Sequence, residues 1–153
     1  MSELDKLDFL LGRWTGKYEN QFGEKGVLES SSECVKVLDG RFLKWEGRTL
    51  KDASPLNQAV QFFGYDILRR KYFFKRMWSY GFVENGEGDW SDNDTLVFDH
   101  TSVDNSPSWF AGSRWKSFIR RYGDSEIGTG LRVSKGGGPF EVYGESRVHR
   151  VRS

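Results

Sequence analysis

The chain has 153 residues, with 23 Lys and Arg against 22 Asp and Glu, for a net charge of +1. That length suits one domain covering residues 1–153, and so even a charge balance gives no field to draw nucleic acid or anionic lipid. The lone cysteine, Cys34, excludes an intrachain disulfide and fits a reducing, cytoplasmic setting.

Aromatics make up 16% of the residues, and there are 18 glycines against 3 prolines. Aromatic side chains favour pleated, half-buried surfaces, and glycines favour tight hairpins and strongly bent strands. The amino terminus, Met1 to Gly12, lacks the basic and long apolar regions of a signal peptide, and no apolar run approaches the ~20 residues of a membrane span. Only this segment reads as helical. Ser2 is placed to cap it, Leu4, Leu7, Leu10 and Leu11 form one face, and Gly12 stops it. A helix so short needs a surface to cover, and a barrel mouth is a natural one.

From Gly12 onward the apolar period is two. Trp14, Gly16 and Tyr18 share one face. Val27 to Leu38 and Arg41 to Lys51 flank the turn at Asp39-Gly40. Gln58 to Asp66 and Lys71 to Val83 flank Ile67 to Arg70. Asn85-Gly86 and Gly88 read as the next turn, in a solvated acidic hairpin running from Glu84 to Asp94. Asn93 to His100, Trp109 to Tyr122, Glu126 to Ser134 and Phe140 to Arg152 complete the series, with loops at Asp104 to Pro107 and Lys135 to Pro139. Short strands joined by short turns, with no long return connection, predict an all-β chain. The expected form is a closed antiparallel up-and-down barrel of about ten strands with a short amino-terminal capping helix.

The segment Lys71 to Phe82 carries the functional reading. Tyr72, Phe74, Arg76, Trp78, Tyr80 and Phe82 alternate on one face, while Phe73, Lys75 and Met77 lie on the other. Large side chains on both faces suit a core on one side and a covering loop, or a homodimer partner, on the other. Alternatively, the aromatic face lines a cavity. A buried Arg76 needs an anion, either a ligand carboxylate or an internal acid such as Glu33 or Glu46. Arg76, Trp78, Tyr72, Phe74 and Tyr80 are therefore the candidate ligand-binding set. Arg114 shares its face with Lys116 and reads as a surface charge; Trp115, Ser117 and Ile119, on the other face, read as core.

Phe9 to Gly16, with its Gly12-Arg13-Trp14, resembles the opening of calycin (lipocalin-like) barrels. The resemblance implies that Trp14 packs across the closed end beneath a basic residue of the last strand. Arg150 is the candidate, joined by cation–π attraction in a structural role. Asp39 to Leu43, Gly64-Tyr65-Asp66, Ser79-Tyr80-Gly81 and the Arg-rich final strand are similar to a bacterial family of uncharacterised small barrels and to nitrobindin-type haem barrels. The nitrobindin likeness implies a haem-ligating histidine near the carboxyl end, which here is His149. Its context departs from that pattern, since it alternates with Glu145 and Arg147 and is followed by Arg150.

The primary expectation is thus a binding protein for a small, partly apolar and possibly anionic molecule, with no cofactor, no metal, and no nucleic-acid or membrane partner. A nitrobindin-like haem protein acting on reactive nitrogen species is the alternative. An enzyme using cavity carboxylates on a small hydrophobic substrate is the second, with Asp66, Glu33 and Glu46 as the acids considered. Zinc chemistry lacks ligands, and the acidic run lacks calcium-loop spacing. The Ser113-x-x-Lys116 pattern places its two ends on opposite faces of a strand. Arg69-Arg70-Lys71 beside Tyr72 to Phe74 could bind nucleic acid only against the neutral overall charge.

Overall fold

A computed structural model describes residues 2–104 and 113–152. Ten antiparallel strands follow a short amino-terminal helix: β1 (Gly12–Glu19), β2 (Val27–Val37), β3 (Phe42–Lys51), β4 (Ser54–Asp66), β5 (Lys71–Trp78), β6 (Val83–Trp90), β7 (Thr95–Asp104), β8 (Ser113–Arg121), β9 (Glu126–Lys135) and β10 (Glu141–Arg150). Each pairs with the next in sequence, and β1 pairs with β10, so the sheet closes into a barrel. The expected turn at Asp39-Gly40 is present. The loop expected from Asp104 to Pro107, and the beginning of the strand expected at Trp109, fall in whole or in part outside the described residues.

The helix is of the 3₁₀ type over Leu4–Leu10, and Leu4, Leu7 and Leu10 are buried. Those leucines recur every three residues, the period at which 3₁₀ side chains eclipse, so one face is wholly apolar. Leu7 and Leu10 are fully covered. Each side chain removed from water in this way contributes about 2–3 kcal/mol, which offsets the poorer hydrogen bonding of a long 3₁₀ run. The helix lies across one end of the barrel, on a core that includes Trp14, Leu43, Tyr72, Leu96 and Ile127.

Closure rests on Trp14 and Arg150, which face each other in the β1–β10 register. The Arg150 guanidinium lies 4.4 Å from the Trp14 ring centre. It also donates to the carbonyls of Phe9, at 2.8 Å, and of Leu11, while the Trp14 indole donates to Leu10 O at 2.8 Å. One cation thus ties the helix, the first strand and the last strand together.

Two of the sequence expectations change here. The strand expected from Lys71 to Val83 ends at Trp78, and the chain reverses through Ser79 to Phe82, with Gly81 at φ +93°. Asn85, Gly86 and Gly88 form no turn; they lie within β6. Their glycines serve space instead. A Cβ on Gly86 would strike the Phe74 ring, and one on Gly88 would overlap the Val97 carbonyl. The acidic run therefore begins inside the barrel rather than in solvent.

Candidate functional site

The inward face of β5 changes character along its length. Tyr72 and Phe74 are fully buried, and both belong to the core beneath the helix. One pair further on, Arg76 and Trp78 line a cavity of about 860 Å³. Its wall includes Leu28, Trp45, Leu131 and Tyr143, and Leu10 of the helix also borders it. Tyr80 and Phe82, from the β5–β6 turn, also line it. Their rings run nearly parallel to Trp78, at centroid distances of 5.8 and 5.7 Å. Of the five expected ligand contacts, Arg76, Trp78 and Tyr80 thus border the cavity, while Tyr72 and Phe74 form the packed layer below it.

The counter-ion of Arg76 is Glu84. Arg76 Nε and Nη2 each donate to a Glu84 carboxylate oxygen at 2.9 Å, a bidentate pair. Glu84 is 1% exposed. The Trp78 indole donates to the same carboxylate. Glu33 and Glu46, the acids considered for this role, are both exposed and face each other across β2 and β3. Glu46 also pairs with Lys44. Asp66 sits at the β4–β5 turn, accepting from the N–H groups of Leu68 and Arg69 at 3.0 Å. These three acids do not meet in the cavity.

The polar floor extends beyond the ion pair. Arg76 Nη1 donates to Gln61 Oε1 at 3.4 Å, and Arg76 Nη2 to Ser117 Oγ at 3.3 Å. Ser117 Oγ is 2.6 Å from His100 Nε2, and His100 Nδ1 is 3.3 Å from Glu84 Oε2. Ser117 is buried and lines the cavity, while His100 lies behind it, its side chain 4% exposed. Burial, with the Arg76 charge close by, pushes the His100 imidazole down to about 4, outweighing Glu84 and Asp99. The ring is therefore neutral at pH 7. Because a carboxylate only accepts, the imidazole proton belongs on Nδ1, and Nε2 accepts from the Ser117 hydroxyl. Burial raises the Glu84 carboxyl, but Arg76, His100 and Trp78 together outweigh this and hold it below the ordinary range. The cluster is thus a carboxylate, a guanidinium and a neutral imidazole, with no net charge.

His149 lies on the outside of β10, its side chain 63% exposed and 3.9 Å from Glu126. It does not present its imidazole to the cavity, and both nitrogens of His100 face protein groups. As placed, neither histidine fits an iron ligand inside the barrel. Cys34 is buried, which pushes its thiol up to about 12 and leaves it inert as a nucleophile. Among the described residues, no three His, Cys or carboxylate groups come together to hold a metal.

From the sequence Glu84 reads as part of a solvated hairpin, Ser117 as core, and His100, at a strand end, as a weaker haem-ligand candidate than His149. Glu84, Gly86 and Gly88 do alternate with Val83, Asn85 and Glu87, a period-two signal that continues once the turn is set at Ser79 to Phe82. His100 and Ser117 carried no comparable signal. Only the pairing of β6 with β7 and of β7 with β8 brings them to Glu84.

No protein-family model matches the chain, and no curated protein matches it. The crystal structure of Rv2717c from M. tuberculosis superposes with a TM-score of 0.68 at 17% identity, covering 99% of each chain. That likeness is one of fold. A de novo designed fluorescence-activating β-barrel aligns with a TM-score of 0.47 and 12% identity, over 76% of this chain and 97% of the designed one. No helix among the described residues is long and apolar enough to cross a membrane.

Proposed function

We propose that the barrel is a calycin-like binding protein of the cytoplasm that holds one small, partly apolar molecule in its cavity. The observation that carries this reading is the change along β5 from packed core to a largely apolar-walled space with a buried polar cluster at its floor. Ligand sites are commonly concave and mostly apolar, with a few placed polar groups that fix orientation. Arg76, Trp78 and Tyr80 are the contacts, and Tyr72 and Phe74 support them from below.

Because Glu84 already neutralises Arg76, the ligand does not have to bring a charge. An oxygen acceptor can meet Arg76 Nη1 beside Gln61, where the present hydrogen bond is long at 3.4 Å. A carboxylate would have to compete with Glu84. Neutral or weakly polar ligands are therefore favoured over strong anions.

Titration of tryptophan fluorescence tests this, because Trp78 and Trp45 line the cavity. Naphthalene methyl ketone and 1-naphthoic acid form a neutral and an anionic pair of equal size. Saturable quenching is expected, with a Kd on the order of micromolar and the ketone binding more tightly. An absence of saturation with both compounds would remove the reading.

A further inference from the structure

Three adjacent strands place a serine, a histidine and a glutamate in a row at the cavity floor, with a hydrogen bond between the first two and a close approach between the last two. Ser117 is on β8, His100 on β7 and Glu84 on β6, spaced at 2.6 Å and 3.3 Å. We propose that these residues form a nucleophilic relay that hydrolyses a small hydrophobic carboxylic ester bound in the cavity. This rests on the binding reading above, because the ester must enter the same space.

The geometry has the polarity the reaction needs. Ser117 lines the cavity and His100 stands behind it, so the hydroxyl is the member that meets a substrate. Its proton points to His100 Nε2, while Nδ1 faces Glu84, which orients the ring and stabilises the imidazolium when it forms. Arg76 Nη2 is 3.3 Å from Ser117 Oγ, close enough to stabilise an oxyanion that develops beside it. A register shift between Asn85 and Gly86 lies next to Glu84, opposite His100. Bulges of this kind re-aim side chains and are enriched near reactive sites.

In the first step Ser117 Oγ bonds to the ester carbonyl carbon and its proton passes to His100 Nε2. The tetrahedral oxyanion faces Arg76. Its collapse breaks the bond to the alcohol oxygen, which takes the proton from His100. Water then gives a proton to His100 and bonds to the acyl carbon. The acyl–Ser117 bond breaks, Ser117 recovers its proton, and the carboxylic acid leaves. The net reaction is ester plus water to acid plus alcohol.

The groups facing His100 are Glu84 from β6, Arg76 from β5 and Ser117 from β8, while Asp99 acts on it through charge alone from the outer face of its own strand, where it pairs with Lys116. With its proton affinity near pH 4 the imidazole is a free but weak base at neutral pH. Esters of acidic alcohols, such as phenols and enols, suit so weak a base.

The test uses p-nitrophenyl butyrate for turnover and a fluorophosphonate for covalent capture, read by mass spectrometry of the intact protein and its peptides. The expected results are one phosphonyl adduct on the peptide containing Ser117, and saturable hydrolysis that falls at least about 100-fold in Ser117→Ala and in His100→Gln. His149→Ala should leave the rate unchanged, and kcat/KM should be level between pH 6 and 8. Adduct formation is read on the unaltered chain, so a variant that fails to fold does not obscure the outcome. No adduct on Ser117, or equal hydrolysis by the unaltered chain and a folded Ser117→Ala, overturns the relay. Binding of the naphthyl ketone without a Ser117 adduct overturns the relay and leaves the binding reading intact.

Discussion

Acidification from pH 7 to pH 5 should cost this protein about 2 kcal/mol of unfolding free energy through His100 alone. Its proton affinity is about 4 in the fold against 6.5 for the ordinary side chain. Between those values the unfolded chain binds the proton and the folded one does not, so stability falls as pH falls. The contribution is negligible above pH 6.5, reaches about 2 kcal/mol at pH 5, and levels off near 3 kcal/mol below pH 4, from 1.36 kcal/mol per pH unit. Glu84 acts lower in pH. Its depressed affinity gives stability that is full above its ordinary value of 4.5 and is lost as pH drops further. Urea titrations at pH 7 and pH 5, run on the unaltered chain and on His100→Gln, isolate the histidine, because the difference cancels the titrations the two chains share. The unaltered chain should lose about 2 kcal/mol more than the variant over that interval. Equal losses would mean that His100 is solvated or already charged in the fold, and the neutral, proton-accepting imidazole would have to be abandoned.

Two other perturbations probe separate parts of the structure. Arg76→Met strands a 1% exposed carboxylate and should cost about 3–5 kcal/mol in urea unfolding at pH 7, whereas Arg76→Met with Glu84→Leu should recover most of that loss. A double variant as unstable as the single one would show that packing, not charge, sets the cost. Arg150→Ala removes the cation over Trp14 and three carbonyl contacts, and should cost about 2–3 kcal/mol, read as a lower thermal midpoint.

The barrel was legible in the sequence because its signals are local. Alternation at Trp14 to Tyr18 and along Tyr72 to Trp78 needs no knowledge of the partner strand. The Trp14–Arg150 pairing was also within reach, carried by the resemblance of Gly12-Arg13-Trp14 to calycin openings. The β5–β6 reversal was not. Asn85-Gly86 is a strong turn signal in isolation, and it was overridden by the need for glycines beneath Phe74 and beside Val97. That error moved Glu84 into solvent, so Arg76 was left searching for an acid among Glu33 and Glu46. His100 and Ser117 were hidden for a different reason. Their chemistry comes from cross-strand register, with Gly86 opposite His100 and Phe98 opposite Ser117, which no spacing along the chain encodes.

β1 and β10 meet in a register that pairs Trp14 with Arg150 and Thr15 with His149, with Val151 N donating to Arg13 O at 2.8 Å on one side and Gly16 lying against Val148 on the other. Every other seam joins strands that are consecutive along the chain. The circumference is therefore completed between the first strand and the tenth, by a seam that no hairpin turn tethers. During synthesis nine strands can line up in order of emergence, yet the cylinder stays an unsealed ribbon until β10 arrives. A product cut short before β10 would carry two bare flanks, on β1 and β9, each an invitation to pair with another copy.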